Sequence, residues 1–368
     1  MSKNTDGFDH PSRIKTLREK MEEHKIDLTV LYERENVRYF TGWRQNTTSF
    51  SILFITQDDL IYFVPKLDKK AVDKECWIPT SKTYVIPEDP AKKFKDLIDN
   101  ESETIQKIGI ESETIFNSRL KNIEKNFDCE LSDVQPIMNS MRIRKTKEEQ
   151  NNIREGASAL SGVMTDIIDM AQEDMMEKKL TAEAKKLFDT VGGETYSFEP
   201  FAMSGENSWL PHRTSTEKRI QKGELILIDM GLIWEGYATD ITRTFVLGEP
   251  SEQQRDLFEA AYEAQKEAKK MVKPGVKAET VHEKANEIFE EYGYSEYFPH
   301  LTGHGLGLET HEDPILDKGQ DIELKPGMVV TVEPGIYKEG VGGARVEDML
   351  LVIEDGHEEL TTANRMLV

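Results

Sequence analysis

Acidic residues occupy matching places in two pairs of β-prone segments. In the first pair, the segments on either side of 234–236 contain Asp229 and Asp240. Folding these segments into a hairpin about Trp234 and Glu235 sets the two aspartates opposite each other. Directly paired residues in an antiparallel sheet have Cβ atoms about 5 Å apart, and like charges at such positions are destabilising. A cation between the carboxylates would remove this repulsion, so the pair predicts a metal site.

The same arrangement occurs again nearer the C-terminus. Segments 329–333 and 344–350 flank a glycine-rich stretch, and a hairpin of these segments would place Glu333 opposite Glu347. The histidine-rich segment 298–312 lies between the two hairpins in sequence. Four carboxylates balance two divalent cations, which bridging carboxylates hold about 3.5–4 Å apart in two-metal hydrolytic sites. Together with one imidazole, such an oxygen-rich set suits manganese, cobalt, iron or zinc.

Composition restricts the kinds of partner. The chain has 368 residues, enough for two domains, and a net charge of -22 without any basic block. Nucleic acids and anionic membranes are therefore poor partners. The two cysteines, Cys76 and Cys129, are far apart, which is not the pattern of a disulfide framework or a cysteine zinc site. The polar N-terminus lacks the apolar segment of a secretory signal, so we expect a cytoplasmic location.

Helical and strand patterns divide the chain in two. Within 1–141, short β-prone runs alternate with amphipathic helical segments, which predicts a mixed α/β domain. Within 142–368, two predicted helices precede the first acidic hairpin and two more precede the second. Such a repeat would bring the hairpins together about a pseudo-two-fold axis, with all four carboxylates in one concave sheet. We therefore expect the chemistry in the second domain.

Four other histidines are not expected to take part. His10 and His24 have charged sequence neighbours and are predicted to be solvated, and His282 and His357 are predicted to have no role in the site. The pair formed by His311 and its neighbouring glutamate is not a zincin motif, because no second histidine follows at the required spacing.

Motifs around the acidic residues resemble the signatures of the pita-bread metallopeptidases. In chain order they are IDMG (228–231), DITRT (240–244), GHGLGLETHE (303–312), VEPGIY (332–337) and GARVED (343–348). The preceding α/β domain makes the chain similar to the branch that contains prolidases (Xaa-Pro dipeptidases) and aminopeptidase P enzymes. The resemblance covers nearly the whole chain. It implies a creatinase/prolidase-type α/β N-terminal domain and an α+β pita-bread catalytic domain with pseudo-two-fold symmetry and a curved antiparallel sheet.

The resemblance also implies roles for individual residues. Two divalent metal ions, manganese or cobalt in the first place and zinc or iron as alternatives, would be bound by Asp229, Asp240, His304, Glu333 and Glu347. Of these, Asp240 and Glu347 would bridge the ions, and Glu333 would also handle the proton. The residues around the substrate would be His212, His300, His311 and Arg345, the last three with catalytic roles. Because Arg345 and Glu347 are two apart on a strand, they share a face, which independently supports a carboxylate-orienting role.

The implied activity is hydrolysis of the bond between an N-terminal residue and proline in dipeptides or short peptides. Proline forms a tertiary amide without an N–H, so its recognition requires an apolar wall, for which Trp209, Tyr237 or Tyr337 are candidates. The short first domain favours a dipeptidase over an Xaa-Pro aminopeptidase acting on longer peptides, and relatives of this size imply a homodimer. The open alternatives are a creatinase-like hydrolase of a small modified amino acid, a methionine aminopeptidase and a non-catalytic binding protein of the same fold.

Overall fold

A computed structural model describes residues 7–44, 50–78, 81–98, 105–211 and 213–365. The chain separates into two units, Met1–Met141 and Arg142–Val368. Among the described residues, no helix combines the length and the apolar character that crossing a bilayer requires.

The first unit is built on one mixed sheet. Its helices are α1 (His10–Glu23), α2 (Arg34–Thr41), α3 (Lys69–Glu75), α4 (Pro90–Ile98), α5 (Asn117–Asn126) and α6 (Gln135–Arg142, which ends one residue into the second unit). Its strands are β1 (Leu28–Leu31), β2 (Ile52–Ile55), β3 (Leu60–Pro65), β4 (Ser81–Tyr84), β5 (Lys107–Ile110) and β6 (Glu130–Asp133). They pair in the order β4-β3-β2-β1-β5-β6. Strands β1 and β2 are buried along their whole length, as expected for strands covered on both faces, and the α/β class is confirmed.

One prediction for this unit is wrong. His10 is buried rather than solvated, because its Nδ1 lies 3.0 Å from the carbonyl oxygen of Tyr39 and its ring stacks on Trp77. Tyr39 and Trp77 are distant from His10 in sequence, so its charged sequence neighbours gave no sign of these contacts.

The second unit repeats one succession of elements. Its helices are α7 (Lys147–Met170), α8 (Glu177–Val191), α9 (Glu252–Lys269) and α10 (Ala278–Glu291). Its strands are β7 (Thr195–Tyr196), β8 (Phe201–Ser204), β9 (Leu225–Met230), β10 (Leu232–Trp234), β11 (Tyr237–Ala238), β12 (Ile241–Val246), β13 (Gly303–Gly305), β14 (Glu312–Leu316), β15 (Val329–Val332), β16 (Gly335–Lys338), β17 (Gly342–Arg345), β18 (Asp348–Ile353) and β19 (Gly356–Glu359). Helices α7 and α8 precede the first acidic hairpin, and α9 and α10 precede the second, as predicted. Both α7 and α9 begin with a capping box, at Thr146 and Ser251 respectively.

Strand alternation separates the helix-facing residues from the polar ones. The main sheets of this unit have the orders β12-β9-β8 and β14-β13-β15-β18-β19. The apolar residues that pack with α7 and α8 in one core are Ile226, Ile228, Met230, Ile241 and Phe245. Val330, Val332, Leu350 and Val352 pack in the same way with α9 and α10. Because side chains alternate between the faces of a strand, the intervening positions point away from the helices, and these positions include the acidic residues.

The first hairpin has a register different from the predicted one. Its tight turn is centred on Glu235 and Gly236, which both have positive φ angles, of 44° and 80°. This geometry matches a two-residue turn in which glycine occupies the second central position. The turn sets Asp229 opposite Thr242 rather than opposite Asp240. The two aspartates are therefore diagonal neighbours on one face, which still allows them to share a cation.

The second hairpin has the predicted register. Val332 pairs with Asp348 in the ladder of β15 and β18, and Gly335 pairs with Arg345 in the ladder of β16 and β17. The same register therefore continues through the gap between the ladders and sets Glu333 opposite Glu347. The acidic pair lies where the regular ladder is interrupted, and the Glu347 side chain contacts Thr242 of the first hairpin.

Candidate metal centre

Hydrogen bonds join the two acidic hairpins. The backbone N–H of Glu347 donates to the carbonyl oxygen of Thr242 over 3.2 Å. The hydroxyl of Thr244 donates to the Arg345 carbonyl over 3.0 Å and accepts from the Arg345 N–H over 3.1 Å. The two hairpins that carry the carboxylates are thus held side by side, as we expected from the internal repeat.

The five residues predicted as metal ligands lie together. One ligand atom each from Asp240, His304 and Glu347 lie within 4.8 Å of one another, and all three residues are buried. The Nε2 atom of His304 lies 3.2 Å from Oε1 of Glu333 and 3.8 Å from Oδ2 of Asp240. Asp229 joins the group on the same strand face, and four of the five residues line one cavity of about 720 Å³. The fifth, Glu347, is 1% exposed.

Carboxylate oxygens without partners are the clearest sign that a cation belongs here. Oδ1 of Asp229, Oδ1 of Asp240 and Oε1 of Glu347 are buried and have no hydrogen-bond partner within the described residues. Buried polar atoms in proteins are nearly always hydrogen-bonded, and buried charges are paired or coordinate metals. Three such oxygens in one cluster, together with an imidazole nitrogen, fit a pair of hard or borderline divalent ions.

The pKa values of the acids also indicate a shortage of positive charge. Burial raises the pKa of Asp240 and of Glu347 well above the usual range, and the neighbouring carboxylates raise both further. Burial also raises the pKa of Asp229 to about 6, although Arg345 acts in the opposite direction. For Glu333, His304 and Arg345 outweigh burial and lower the pKa to about 2. The arginine and the histidine therefore compensate Glu333 and, in part, Asp229, whereas Asp240 and Glu347 lack the positive charge that would favour their ionised forms.

Arg345 contacts the acidic residues as its shared strand face predicted. Its Nη2 donates to Oδ2 of Asp229, and its Nε donates to the hydroxyl of Thr242 over 3.1 Å. The Thr242 hydroxyl in turn donates to Oε2 of Glu347 over 2.7 Å. Arg345 thus fixes Asp229 directly and Glu347 through a threonine, in the manner of outer contacts that orient metal ligands. Thr242 was missed in the sequence, although it lies two residues after Asp240 and must share its strand face.

Two of the three predicted substrate histidines lie at the cavity. His300 and His311 line the cavity, and the ring of His311 lies 4.3 Å from that of His304. The Nε2 of His300 lies 3.0 Å from the hydroxyl oxygen of Tyr337, which also accepts from Nη1 of Arg345 over 2.7 Å. His212 lies outside the described residues.

The apolar wall of the cavity is formed by residues that the sequence did not suggest. Its aromatic residues are Phe198, Phe201 and Phe298. Of the three predicted candidates, Tyr237 instead donates to Glu149 on α7 over 3.0 Å, and Trp209 and Tyr337 pack in a small cluster around Leu227. His282, which was not expected at the site, also lines the cavity. The phenylalanines come from loops and a strand end without regular periodicity, so no pattern identified them.

Beside the cavity, Glu312 forms a buried ion network. Its Oε1 accepts from Arg142 over 2.5 Å and its Oε2 accepts from Lys145 over 3.1 Å. Burial raises the pKa of Glu312, but the two cations outweigh burial and lower the pKa from 4.5 to about 2. The network thus ties the start of the second unit to the residue that follows His311.

Replacing Glu312 should destabilise the fold. We expect Glu312→Gln to lower the free energy of unfolding by about 3–5 kcal/mol at pH 7, because it leaves two buried cations underpaired. The folded-state pKa of Glu312 is depressed, so its stabilisation is present above about pH 4.5 and is lost as the pH falls towards 2. Urea unfolding between pH 3 and 7 measures both effects. Glu309→Gln, a half-exposed acid on the same arginine, should lower the free energy by about 1 kcal/mol or less; equal losses would contradict the assignment.

Known proteins share both units. The profile of Metallopeptidase family M24 matches residues 151–354, and that of the Creatinase/Prolidase N-terminal domain matches residues 13–144. An Xaa-Pro dipeptidase of Pyrococcus furiosus is 35% identical over 357 residues, which cover 97% of this chain and 99% of the relative. The crystal structure of a prolidase from Pyrococcus horikoshii has a TM-score of 0.90 at 32% identity and covers 97% of this chain and 100% of the other. An X-Pro aminopeptidase from Thermotoga maritima has a TM-score of 0.88 at 29% identity, over 96% of this chain and 99% of the other.

These similarities agree with the geometry. The family profile spans both acidic hairpins and the histidine segment between them. The match to the Pyrococcus furiosus relative extends over nearly the full length of both chains, so both units are included. The protein with this carboxylate cluster belongs to metallopeptidase family M24.

Proposed function

We propose that the protein is an Xaa-Pro dipeptidase that depends on two divalent metal ions and hydrolyses the bond between an N-terminal residue and proline. The main observation behind this proposal is that four carboxylates and His304 lie close together in a buried cluster, beside a cavity lined by phenylalanines. The Pyrococcus furiosus relative, named an Xaa-Pro dipeptidase, supports the substrate class. We also propose that the chain forms two domains, with the boundary between residues 141 and 142.

The metal ions would be held by Asp229, Asp240, His304, Glu333 and Glu347. When bound, two such ions supply an acidified water as nucleophile and polarise the scissile carbonyl. The oxygen-rich set fits manganese or cobalt, with zinc or iron as alternatives. The residues of the chain then have to deliver the proton, hold the substrate and exclude water.

Glu333 is the residue that we assign to the proton. Its Oε1 accepts a hydrogen bond from the hydroxyl of Thr331 at a distance of 3.2 Å. The same oxygen lies 3.2 Å from Nε2 of His304. Its Oε2 is therefore the better placed acceptor for a proton from the attacking water. The lowered pKa leaves this carboxylate ionised at neutral pH, which is the form that can accept a proton.

His300 is oriented by a chain of hydrogen bonds. Its Nδ1 lies 2.6 Å from the carbonyl oxygen of Leu301, which places the ring proton on that nitrogen. Since Arg345 donates to the hydroxyl oxygen of Tyr337, the proton of this hydroxyl is directed to Nε2 of His300. The ring is thereby fixed at the cavity wall. His311, next to His304, is the closer candidate to bind the developing oxyanion.

Hydrolysis of matched peptides tests this function. After chelation and reconstitution with manganese or cobalt, we expect rapid cleavage of Gly-Pro and no cleavage of Gly-Ala, because the phenylalanine wall accommodates the pyrrolidine ring. Gly-Pro-Ala should remain intact if the protein is a dipeptidase. Cleavage of both proline peptides would favour the aminopeptidase, to which the similarity with the Thermotoga maritima structure also points. Cleavage of neither peptide would contradict both functions.

Two further expectations accompany the proposal. A homodimer is implied by the resemblance to family members of this size, and the two free cysteines favour a cytoplasmic location. Both remain predictions, to be measured by light scattering and by cell fractionation.

A further inference from the structure

The first unit contains a second cavity, with an arginine in its wall. The cavity has a volume of about 480 Å³, and its lining includes Arg119, Phe50, Phe116 and Tyr32. The guanidinium carbon of Arg119 lies 3.9 Å from the ring centre of Phe50 and 4.9 Å from the ring centres of Phe116 and Tyr32. Aromatic rings therefore cover the guanidinium group, which leaves its N–H edge as the polar part.

Apart from these rings, the guanidinium group of Arg119 contacts no polar partner in the described part of the chain. Within the described residues, no side chain or carbonyl accepts a hydrogen bond from it and no carboxylate forms an ion pair with it, although it is half-buried. Partial burial lowers the pKa of Arg119, and the nearby tyrosines and glutamates oppose this shift only in part. A half-buried cation is usually paired, so the absence of an acceptor indicates that one is supplied from outside the chain.

The nearby acids have partners of their own. Glu88 accepts from Lys93 over 2.7 Å and from the backbone N–H of Val85 over 2.6 Å. Asp89 accepts from the N–H of Ala91 and from the side chain of Asn126. Glu111 accepts two backbone N–H groups and the side-chain amide of Asn36. None of these carboxylates serves as the counter-ion of Arg119.

Large apolar side chains are exposed around the same cavity. Phe116 is 58% exposed and Ile86 is 82% exposed, and both line the cavity. Pockets for small molecules are typically concave and lined by apolar side chains, with a few polar or charged groups that fix the orientation of the ligand. Inorganic phosphate would use the arginine only, whereas an organic carboxylate would use both the arginine and the apolar surface.

We propose that this cavity of the first unit binds a small organic carboxylate with an apolar body. The carboxylate accepts two parallel N–H···O bonds from the edge of Arg119, the geometry that guanidinium groups favour. The apolar body covers Phe116 and Ile86. The residues of this cavity are all different from those of the metal centre, and its occupation does not depend on the peptidase reaction.

Calorimetric titration of the full chain tests the proposal with three probes. Benzoate combines a carboxylate with an apolar ring, benzamide is its neutral counterpart, and inorganic phosphate lacks the apolar body. We expect wild-type protein to bind benzoate, and to bind benzamide and phosphate at least about tenfold more weakly, since a charge-assisted bidentate pair contributes a tenfold factor or more. Equal binding of benzoate and benzamide, equal binding of phosphate, or no binding of benzoate would each overturn the proposal.

Titration of single-residue variants tests whether benzoate binds at Arg119. Arg119→Met should weaken benzoate binding by about tenfold or more, and Arg119→Lys should weaken it less, because a lysine keeps the charge but not the fork. Lys121→Met, which changes an exposed cation on the same helix, should leave the affinity unchanged. Unaltered peptidase activity checks the folding of each variant. Benzoate binding that persists at full strength in Arg119→Met lies elsewhere and would overturn the proposal; if that variant fails to fold, Arg119→Lys and the benzamide comparison decide.

Discussion

Replacing Glu333 by glutamine is expected to lower kcat for Gly-Pro about a thousandfold. The variant loses both the anionic proton acceptor and one of the four charges that balance the metal ions, whereas its shape is nearly unchanged. General-base catalysis alone contributes about a hundredfold to ten-thousandfold. Initial rates at saturating substrate and manganese measure the effect.

A matched control lies on the same hairpin. Glu339→Gln removes an exposed carboxylate near the hairpin tip and should leave kcat within about twofold of wild type. Metal content of both variants should be determined in parallel, so that a lost ion is distinguished from a lost base. If Glu333→Gln retained more than a tenth of the wild-type kcat, Glu333 could not be the proton acceptor.

Replacing Asp240 by asparagine should change stability in opposite directions with and without metal. In chelated protein, the substitution removes one of several buried, mutually repelling carboxylates, so we expect Tm to rise by about 2–4 °C for each kcal/mol of relieved repulsion. With manganese at a thousandfold excess over its Kd, the wild type should gain about 4 kcal/mol per bound ion through mass action. The variant should gain much less, so that the wild type becomes the more stable protein.

Scanning calorimetry in chelator and in manganese detects this reversal. Asp166→Asn, an exposed aspartate on α7, is the control and should follow the wild type in both conditions. An Asp240→Asn protein less stable than wild type in chelator would show that the carboxylates do not repel one another. Equal gains from manganese in both proteins would show that Asp240 does not bind the ion.

The order of elements in the second unit could be predicted from the regular spacing of its apolar residues. The order of helices and hairpins is readable because each helix carries a continuous apolar stripe, and each hairpin has one apolar and one polar face. The pairing of Glu333 with Glu347 follows from the same alternation. The pairing of Asp229 was predicted wrongly, because the turn is centred on Glu235 and Gly236, one residue later than on Trp234 and Glu235. A shift of one residue in the turn centre moves each strand partner by two positions.

Contacts between distant segments account for what the sequence did not reveal. The link from Arg345 through Thr242 to Glu347 joins the two hairpins, and neither hairpin alone indicates it. Tyr337 contributes a hydroxyl to His300 rather than an apolar surface to the substrate, since its ring is buried among other side chains. His282 lines the cavity because α10 lies beside the histidine segment, which helical periodicity does not encode. Local sequence patterns thus predicted the helices, the strands and the acidic residues of the site. The contacts that these acidic residues make depend on the packing of distant segments.

Calorimetric titration of chelator-treated protein with manganese tests the central claim most directly, because it counts the cations that the carboxylate cluster accepts. The account predicts two ions per chain, with the second ion lost in Asp240→Asn, and recovery of Gly-Pro hydrolysis as the two sites are filled. Failure to bind any ion, or binding of two ions that is the same in wild type and Asp240→Asn, would contradict it.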